Sequence, residues 1–187
     1  MKKTILLLIC SFLMAAAGLT AGAQEYEILS FTDTLEVPDV SARYIYVRYV
    51  EWLENNYKEF GLSSSPKMPS ESDGAFRCSN YGSMRADFRF RLIPRHPLVN
   101  FDIYILCEDG SLRVGLTKIV WVFNAGIGPL CGENGKLYFD LYSRRDYKFG
   151  MKIVKAVSEY FDRMCESMEE GLARPSKFEP SFLKESK

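Results

Sequence analysis

The dipeptide Asp109-Gly110 restricts the fold more than any other feature, because it separates two stretches in which apolar and polar residues alternate. An Asp-Gly pair in this setting is the strongest short-range signal of a β-hairpin. With these two residues as the loop, Ile105 faces Val114, and the apolar side chains of both strands fall on one side. The sequence therefore predicts an antiparallel pair with a polar outer face. The alternation slips at residues 117–118, which predicts a β-bulge there.

Two more strands are predicted before this hairpin. Residues 75–81 form a short strand that turns at Gly82, and residues 84–92 alternate between apolar and charged side chains. The alternation predicts a half-buried strand with Phe88 inside and arginines outside. Trp121, on a later strand, is also predicted to lie inside. Together with residues 101–107 and 112–123, these segments predict a meander of four antiparallel strands.

Two helices flank the meander. The first has Ser41 as its N-cap and ends at Gly61. Its apolar stripe consists of Tyr46, Tyr49, Val50, Leu53, Tyr57 and Phe60, with Trp52 at the edge of the stripe. The second covers residues 146–171, and its stripe consists of Ile153, Val157, Tyr160, Phe161, Met164 and Met168.

The remaining segments complete the order of elements. Residues 26–37 read as a first strand that stops at Pro38, and residues 62–73, rich in serine and proline, read as a flexible loop. Residues 124–135 read as a glycine-rich loop, and residues 136–142 as an extra edge strand. Strand, helix, four-strand meander and helix predict a two-layer α+β domain, with both helices on one face of an antiparallel sheet.

The N-terminal residues have the pattern of a cleavable secretory signal. Lys2 and Lys3 precede an apolar run over residues 5–17, and Ala21-Gly22-Ala23 supplies the small residues of a cleavage site. We expect a signal peptide over residues 1–23, a single domain over 24–172 and a loose tail over 173–187. The mature protein would then be periplasmic or secreted, and the position of Cys10 inside the apolar run argues against lipid anchoring.

The charge balance limits the partners of the mature chain. Removing residues 1–23 leaves 22 basic residues against 24 acidic ones, a net charge of about minus two. Binding by bulk attraction to nucleic acid or to anionic lipid is therefore not expected, and a local basic patch stays open. No other stretch is long and apolar enough to span a bilayer, so we expect no stable membrane anchor.

The cysteines leave the redox state open. Four remain after removal of the signal, Cys78, Cys107, Cys131 and Cys165, and none forms a Cys-x-x-Cys pair. Four cysteines allow three full pairings, and the spacing favours none of them. A fully reduced state is as compatible with the sequence as one disulfide, because buried thiols in strands behave as small hydrophobic groups.

Several short motifs in this pattern resemble a known family. They are Glu36-Val37-Pro38, Glu51-Trp52-Leu53, Gly74 before the meander, and Asp109-Gly110-Ser111-Leu112-Arg113 at the hairpin. They resemble a family of exported Bacteroidetes proteins catalogued as a domain of unknown function with a TBP-like fold. The likeness covers residues 26–123, and the second helix fits the fold; the glycine-rich residues 124–135 depart from the family's pattern. The resemblance implies a fold and a location, with no activity or ligand to transfer, and the TATA-binding namesake shares a fold rather than a function.

Catalytic and cofactor signals are weak. His96, the only histidine, lies between two prolines, where a solvated loop residue is the simplest interpretation. The histidine and cysteine spacing fits no zinc site, and residues 126–132 lack the Lys-Ser/Thr ending of a phosphate-binding loop. The carboxylate pairs Glu108-Asp109 and Glu169-Glu170 are explained by a hairpin and a solvated helix end. We therefore expect no cofactor, no metal and no enzymatic activity.

The predicted outer sheet face is the candidate binding site. It carries Arg89, Arg91, Tyr104 and Arg113, accompanied by Arg85, Leu106, Val120 and Val122. Arginine and aromatic side chains over a partly apolar strip are typical of surfaces that bind partners. A solvated face whose charges resist aggregation is the alternative. The sequence thus favours an envelope protein that binds a protein, peptide, glycan or second copy; the rival is a periplasmic hydrolase with a site that sequence cannot reveal.

Overall fold

One antiparallel sheet, one small hairpin and two helices form the described part of the chain, which comprises residues 31–123, 126–129 and 144–177 of the computed structural model. The elements are, in chain order, β1 (Phe31–Glu36), α1 (Ala42–Asn56), β2 (Lys67–Ser72), β3 (Ala75–Arg85), β4 (Phe88–Phe90), β5 (Ile93–Arg95), β6 (Leu98–Glu108), β7 (Ser111–Phe123), β8 (Gly126–Pro129) and α2 (Arg144–Leu172). The predicted two-layer α+β architecture is confirmed.

The main sheet has the order β1-β7-β6-β3-β2, with β8 paired to β7. The register across the Asp109-Gly110 turn is the predicted one, since Ile105 pairs with Val114. The bulge is also confirmed. The pairing of β6 with β7 shifts between Asn100 and Asp102, and Lys118 adopts the left-handed conformation with φ of 50°.

The prediction of one strand over residues 84–92 is wrong. β3 runs without a turn from Ala75 through Gly82 to Arg85, and the chain then leaves the main sheet. Its next backbone amide, that of Ala86, donates to Pro97 O at 2.9 Å, and β4 and β5 form a separate two-stranded sheet. The alternation of residue types continues across the break at residues 86–87, so two strands of different sheets look like one. Phe88 is accordingly only half-buried.

The flexible loop predicted over residues 62–73 is also corrected. Its second half is β2, which pairs with β3 as an edge strand. The turn between them is Asp73-Gly74, with φ values of 54° and 75°. Positive φ at both central residues is the signature of the type I′ hairpin turn that Asp-Gly favours. Asp73-Gly74 is a local hairpin signal, and the serines and prolines that precede it are typical of a loop.

Both helices lie on the same face of the sheet and enclose the core. The stripe predicted for α2 is buried throughout. In α1 the buried positions are Ala42, Ile45, Arg48, Tyr49, Trp52 and Leu53, so Trp52 lies inside rather than at an edge. The buried arc of α1 is rotated because this helix packs against α2 as well as against the sheet.

The interface between the helices is close and specific. The indole N–H of Trp52 donates to Ser167 Oγ at 3.0 Å, and Gly171 lies directly against the indole ring. Arg48 is only 8% exposed, and its Nη1 donates to the carbonyl of Leu172 at 2.7 Å. A buried guanidinium therefore satisfies a carbonyl that the end of α2 leaves without a partner in the helix.

The N-terminus of α1 is capped from a distance. Ser41 occupies the predicted N-cap position, but its side chain makes no capping hydrogen bond. Instead the backbone N–H of Ala42 donates to Asp109 Oδ1 at 2.8 Å, and the N–H of Val37 donates to the carbonyl of Gly110 at 2.8 Å. The β6–β7 turn thus fixes the start of the helix, with a carboxylate at its positive end.

Several predictions fall partly or wholly outside the described residues. These are the signal peptide, the start of the first strand at residues 26–30, the edge strand at 136–142 and the tail beyond 177. Within the predicted tail, Ser176 is buried. Within the predicted glycine-rich loop, residues 126–129 form β8, which extends the sheet beside β7.

Candidate functional site

The outer face of the sheet, opposite the helices, is defined by the alternation of the long strands. The inner positions of β6 are Val99, Phe101, Ile103, Ile105 and Cys107, and all are buried. Residues between them point outward. Strand pairing extends this face, which we call the outer face, to Tyr81 on β3 and to Arg113 on β7.

Two tyrosines form the most exposed aromatic pair of the outer face. Tyr81 is 41% exposed and Tyr104 is 38% exposed. Tyr81 pairs with Asp102, and Tyr104 is two residues further along the same strand, so the two rings are diagonal neighbours. Lys67 Nζ lies 5.7 Å from the centroid of the Tyr81 ring. The pair offers aromatic surface beside a cation.

Apolar and basic groups surround the tyrosines. Leu98, at the start of β6, is 42% exposed, whereas Leu106 is buried on the same face. The neighbours of Leu106 in register are Arg77 and Arg113. Arginine side chains have an aliphatic portion that can cover an apolar neighbour of this kind. The tyrosines therefore lie within a mixed strip of apolar and cationic side chains, as predicted for Tyr104, Leu106 and Arg113.

The charge of the outer face is positive. The basic side chains described there are Lys67, Arg77, Arg85, Arg113 and Lys118, and the acidic ones are Glu36, Asp102 and Glu108. Lys118 Nζ lies 2.9 Å from Asp102 Oδ2, so one acid is already paired. Glu36 and Glu108 lie together at one end, each opposite Ser111.

The structure separates the four predicted site residues into two pairs. Tyr104 on β6 pairs with Gly115 on β7, and Leu106 pairs with Arg113. Residues two apart on a strand point to the same side, so Tyr104 and Arg113 share the outer face. Arg89 and Arg91 lie on the small β4–β5 hairpin and do not belong to this face. The error follows from reading residues 84–92 as one strand.

Sequence reasoning also missed members of the outer face. The sequence pattern predicts Tyr81 at the end of a strand that turns at Gly82 and predicts a loop at Lys67. The Asp73-Gly74 turn is the available signal for Lys67, since it predicts a hairpin in which residues 67–72 pair with β3.

His96, the candidate base, is held by a carboxylate on the surface. Its Nδ1 lies 2.6 Å from Asp87 Oδ1, and the two side chains are 55% and 64% exposed. The contact joins the two ends of the β4–β5 hairpin. Within the described ranges, no hydroxyl or thiol is hydrogen-bonded to the other ring nitrogen, so no nucleophile accompanies the pair there.

The described cysteines are buried free thiols: Cys78, Cys107 and Cys165. Burial raises the pKa of Cys78 to about 12 and raises the pKa of Cys107 and Cys165 as well. The thiolate is the reactive form of cysteine, so these three groups act as core residues rather than nucleophiles. Cys131 lies outside the described residues.

The described ranges contain neither a cluster of metal ligands nor a helix that could span a membrane. No group of three histidine, cysteine, aspartate or glutamate side chains there is arranged to hold a metal ion. Neither α1 nor α2, the two helices in the described part of the chain, combines the length and the apolar character needed to cross a bilayer.

Comparison with solved structures shows the fold. The chain is similar to the crystal structure of a DUF4468 family protein from Bacteroides ovatus ATCC 8483, with a TM-score of 0.53 and 17% sequence identity over 82% of this chain and 90% of that chain. It is also similar to that of a TBP-like protein from Parabacteroides distasonis ATCC 8503, with a TM-score of 0.53 and 11% identity over 80% of this chain and 95% of that chain. At such identities the likeness concerns the fold alone.

Comparison with family models identifies the domain. No curated protein matches the chain. Residues 31–121 match the family model described as "Domain of unknown function (DUF4468) with TBP-like fold". The match contains the helix motif Glu51-Trp52-Leu53 and the hairpin at Asp109-Gly110, on which the resemblance rested. Residues 31–121 therefore belong to the DUF4468 family, whose domain has the TBP-like fold.

Proposed function

We propose that this protein is an exported, non-enzymatic binding module of the cell envelope, and that its outer face recognises an acidic segment of a protein partner. The observation that carries the proposal is the exposed pair Tyr81 and Tyr104 beside Arg113. Tyrosine and arginine are, with tryptophan, the residue types enriched among those that dominate binding energy at protein interfaces. Tyr81 and Tyr104 remain 41% and 38% exposed, so a partner that covers them would bury aromatic surface.

Charge favours an acidic partner over a second copy. A two-fold dimer would bring the outer faces of two molecules together. Because the outer face has more basic than acidic side chains, two such faces would repel each other. An acidic segment would gain from Arg77 and Arg113, which flank the buried Leu106, and from Lys67 over Tyr81. Complementary charge of this kind accelerates association and selects between partners.

Photo-crosslinking in cells tests this proposal. A photoreactive phenylalanine derivative at Tyr104 is expected to capture a protein of defined mass, whereas the same group at exposed Lys152 on the helical layer should not. Adding Arg113→Glu should reduce the yield by about tenfold or more, because it reverses a charge at the centre of the surface. Equal capture from both positions, or capture that Arg113→Glu leaves unchanged, would rule out the acidic-partner surface. A product of twice the chain's mass would indicate self-association, and a carbohydrate-bearing product would indicate a glycan.

The alternative function is hydrolysis by a site that includes His96 and Asp87. The observation in its favour is their 2.6 Å contact, because a carboxylate on Nδ1 orients a histidine that acts as a general base. If this were the function, His96→Ala would abolish any hydrolytic activity found in the purified protein. Crosslinking from Tyr104 would then be unaffected, so the two proposals are separable.

Export is predicted to end with cleavage after Ala23. The recovered protein should begin at Gln24 and should appear in the periplasmic or secreted fraction, because Ala21 and Ala23 supply the small residues that signal peptidase requires. N-terminal sequencing and fractionation measure both results. Ala23→Tyr is the control and should leave the precursor uncleaved. Recovery of wild-type protein that begins at Met1, or at a lipidated cysteine, would contradict the prediction.

A further inference from the structure

The β4–β5 hairpin, residues 88–95, is a small element with two unlike sides. One side is anchored, because the rings of Phe88 and Phe90 pack edge-to-face on Phe149 of α2 at centroid distances of 5.3 Å and 5.5 Å. The opposite end is open. Leu92 is 89% exposed and Ile93 is 52% exposed, the two highest values among the large hydrophobic residues that are described as exposed.

The hairpin is also strongly basic. It contains Arg89, Arg91 and Arg95 in eight residues and no acidic residue. The adjacent Asp87 is in contact with His96. Arg89 and Arg91 are exposed, and neither takes part in an ion pair that involves the described residues. The guanidinium of Arg91 lies 5.9 Å from the centroid of the Phe90 ring, which leaves its charge at the surface.

The turn at the tip has an unfavourable backbone. Phe90 pairs with Ile93, so Arg91 and Leu92 are the two loop residues, and their φ values are 52° and 66°. Positive φ at both positions favours Asn-Gly or Asp-Gly, and this chain uses Asp-Gly at its turn of the same kind, Asp73-Gly74. Bulky residues in this conformation cost free energy and are concentrated at functional positions. A role in stability does not account for Arg91-Leu92 at the tip.

We propose that this hairpin is a docking element for an anionic lipid surface. Leu92 and Ile93 would enter the boundary between headgroups and acyl chains, while Arg89 and Arg91 would meet the lipid phosphates, the arrangement by which amphipathic elements bind a membrane interface. An exposed apolar tip flanked by guanidinium groups complements such a surface in both polarity and charge. The contact is reversible and superficial, and it is distinct from the outer face, since the hairpin belongs to another sheet.

Vesicle binding tests this inference with the chain that begins at Gln24, so that the apolar residues 5–17 cannot themselves bind lipid. Vesicles of phosphatidylcholine that contain about one third phosphatidylglycerol should bind the protein, and binding should weaken with added salt. Arg89→Gln with Arg91→Gln should lower the partition coefficient by roughly tenfold to thirtyfold. The control, Arg43→Gln with Arg174→Gln, removes the same charge from exposed positions outside the hairpin and should bind as wild type does.

A second variant separates function from folding. Arg91→Asn with Leu92→Gly gives the tip the preferred turn residues, so it should raise the melting temperature while it lowers vesicle binding by at least about tenfold. A merely structural hairpin would become more stable without any change in binding. Absence of binding to the phosphatidylglycerol vesicles, equal binding to pure phosphatidylcholine, or unchanged binding of either hairpin variant would overturn the proposal. Both hairpin variants leave the outer face unchanged, so a loss of binding that they cause belongs to the hairpin.

Discussion

Gly82→Ala is expected to lower the free energy of unfolding by about 2 to 3 kcal/mol. Replacing glycine in ordinary extended backbone by alanine usually stabilises a protein by about 0.4 to 1 kcal/mol, because it restricts the unfolded chain. Here the added Cβ would lie 2.3 Å from Phe101 Cε2 and 2.8 Å from Leu62 Cδ2. Phe101 is 1% exposed, and its ring packs against that of Tyr160, so it has no free space into which to move. Urea unfolding of both proteins measures the difference.

A double-mutant cycle tests whether the Phe101 ring is the cause. Phe101→Leu replaces the ring by a shorter side chain. The loss of unfolding free energy in the double variant should then be smaller than the sum of the two single losses by more than about 1 kcal/mol. Gly74→Ala is the comparison, because its φ is 75° but a Cβ there would meet no atom within 4 Å. It should cost only the backbone strain, about 1 kcal/mol. Strict additivity in the cycle would show that the close contact at Gly82 is not what resists substitution.

Arg48→Met is expected to lower the free energy of unfolding by about 2 to 3 kcal/mol, because it keeps most of the aliphatic volume but removes a charged hydrogen-bond donor. The carbonyl of Leu172 would lose its partner at 2.7 Å. Loss of a positive charge at the C-terminus of α2 would add to this effect. Urea unfolding gives the size of the change, and hydrogen exchange along α2 should show greater opening near Leu172.

Two variants serve as controls for Arg48→Met. Arg43→Met changes an exposed position of the same helix and should alter stability by no more than about 0.5 kcal/mol. Arg48→Lys keeps the charge on a side chain that lacks the planar fork, and it should fall between wild type and Arg48→Met. If Arg48→Met proves no more destabilising than Arg43→Met, the buried guanidinium does not support the end of α2.

The parts of the fold that the sequence predicted well are those in which one local rule suffices. The register across Asp109-Gly110 and the bulge near Lys118 follow from a period of two and from one turn. The stripe of α2 follows from its helical period. Alternation, however, does not reveal which sheet a strand joins. The choice of sheet depends on tertiary contacts such as the hydrogen bond from Ala86 N–H to Pro97 O, and the pattern of residue types does not contain that information.

The sequence predicts those residues of the candidate site that follow from one local rule and misplaces those that depend on the choice of sheet. Tyr104 and Arg113 follow from the hairpin register, which sequence can supply. Tyr81 joins them only if β3 continues through Gly82, where the glycine makes room for Phe101 rather than for a turn. Arg89 and Arg91 were misplaced by an alternation that continues into another sheet. The capping of α1 by Asp109 could not be predicted, because its partner is 67 residues away in the chain.

The pairing of the first strand also determines how the domain folds. Phe31 on β1 pairs with Leu116 on β7, so these two strands can meet only after a long loop has closed. β7 is already joined to β6 by a two-residue turn, and this hairpin offers a formed edge to which β1 can add. Because the same turn caps α1 through Asp109, the first strand and the first helix both depend on residues far along the chain. We therefore expect these early segments to acquire their structure late, in one cooperative step whose rate reflects contacts distant in sequence rather than local helix formation.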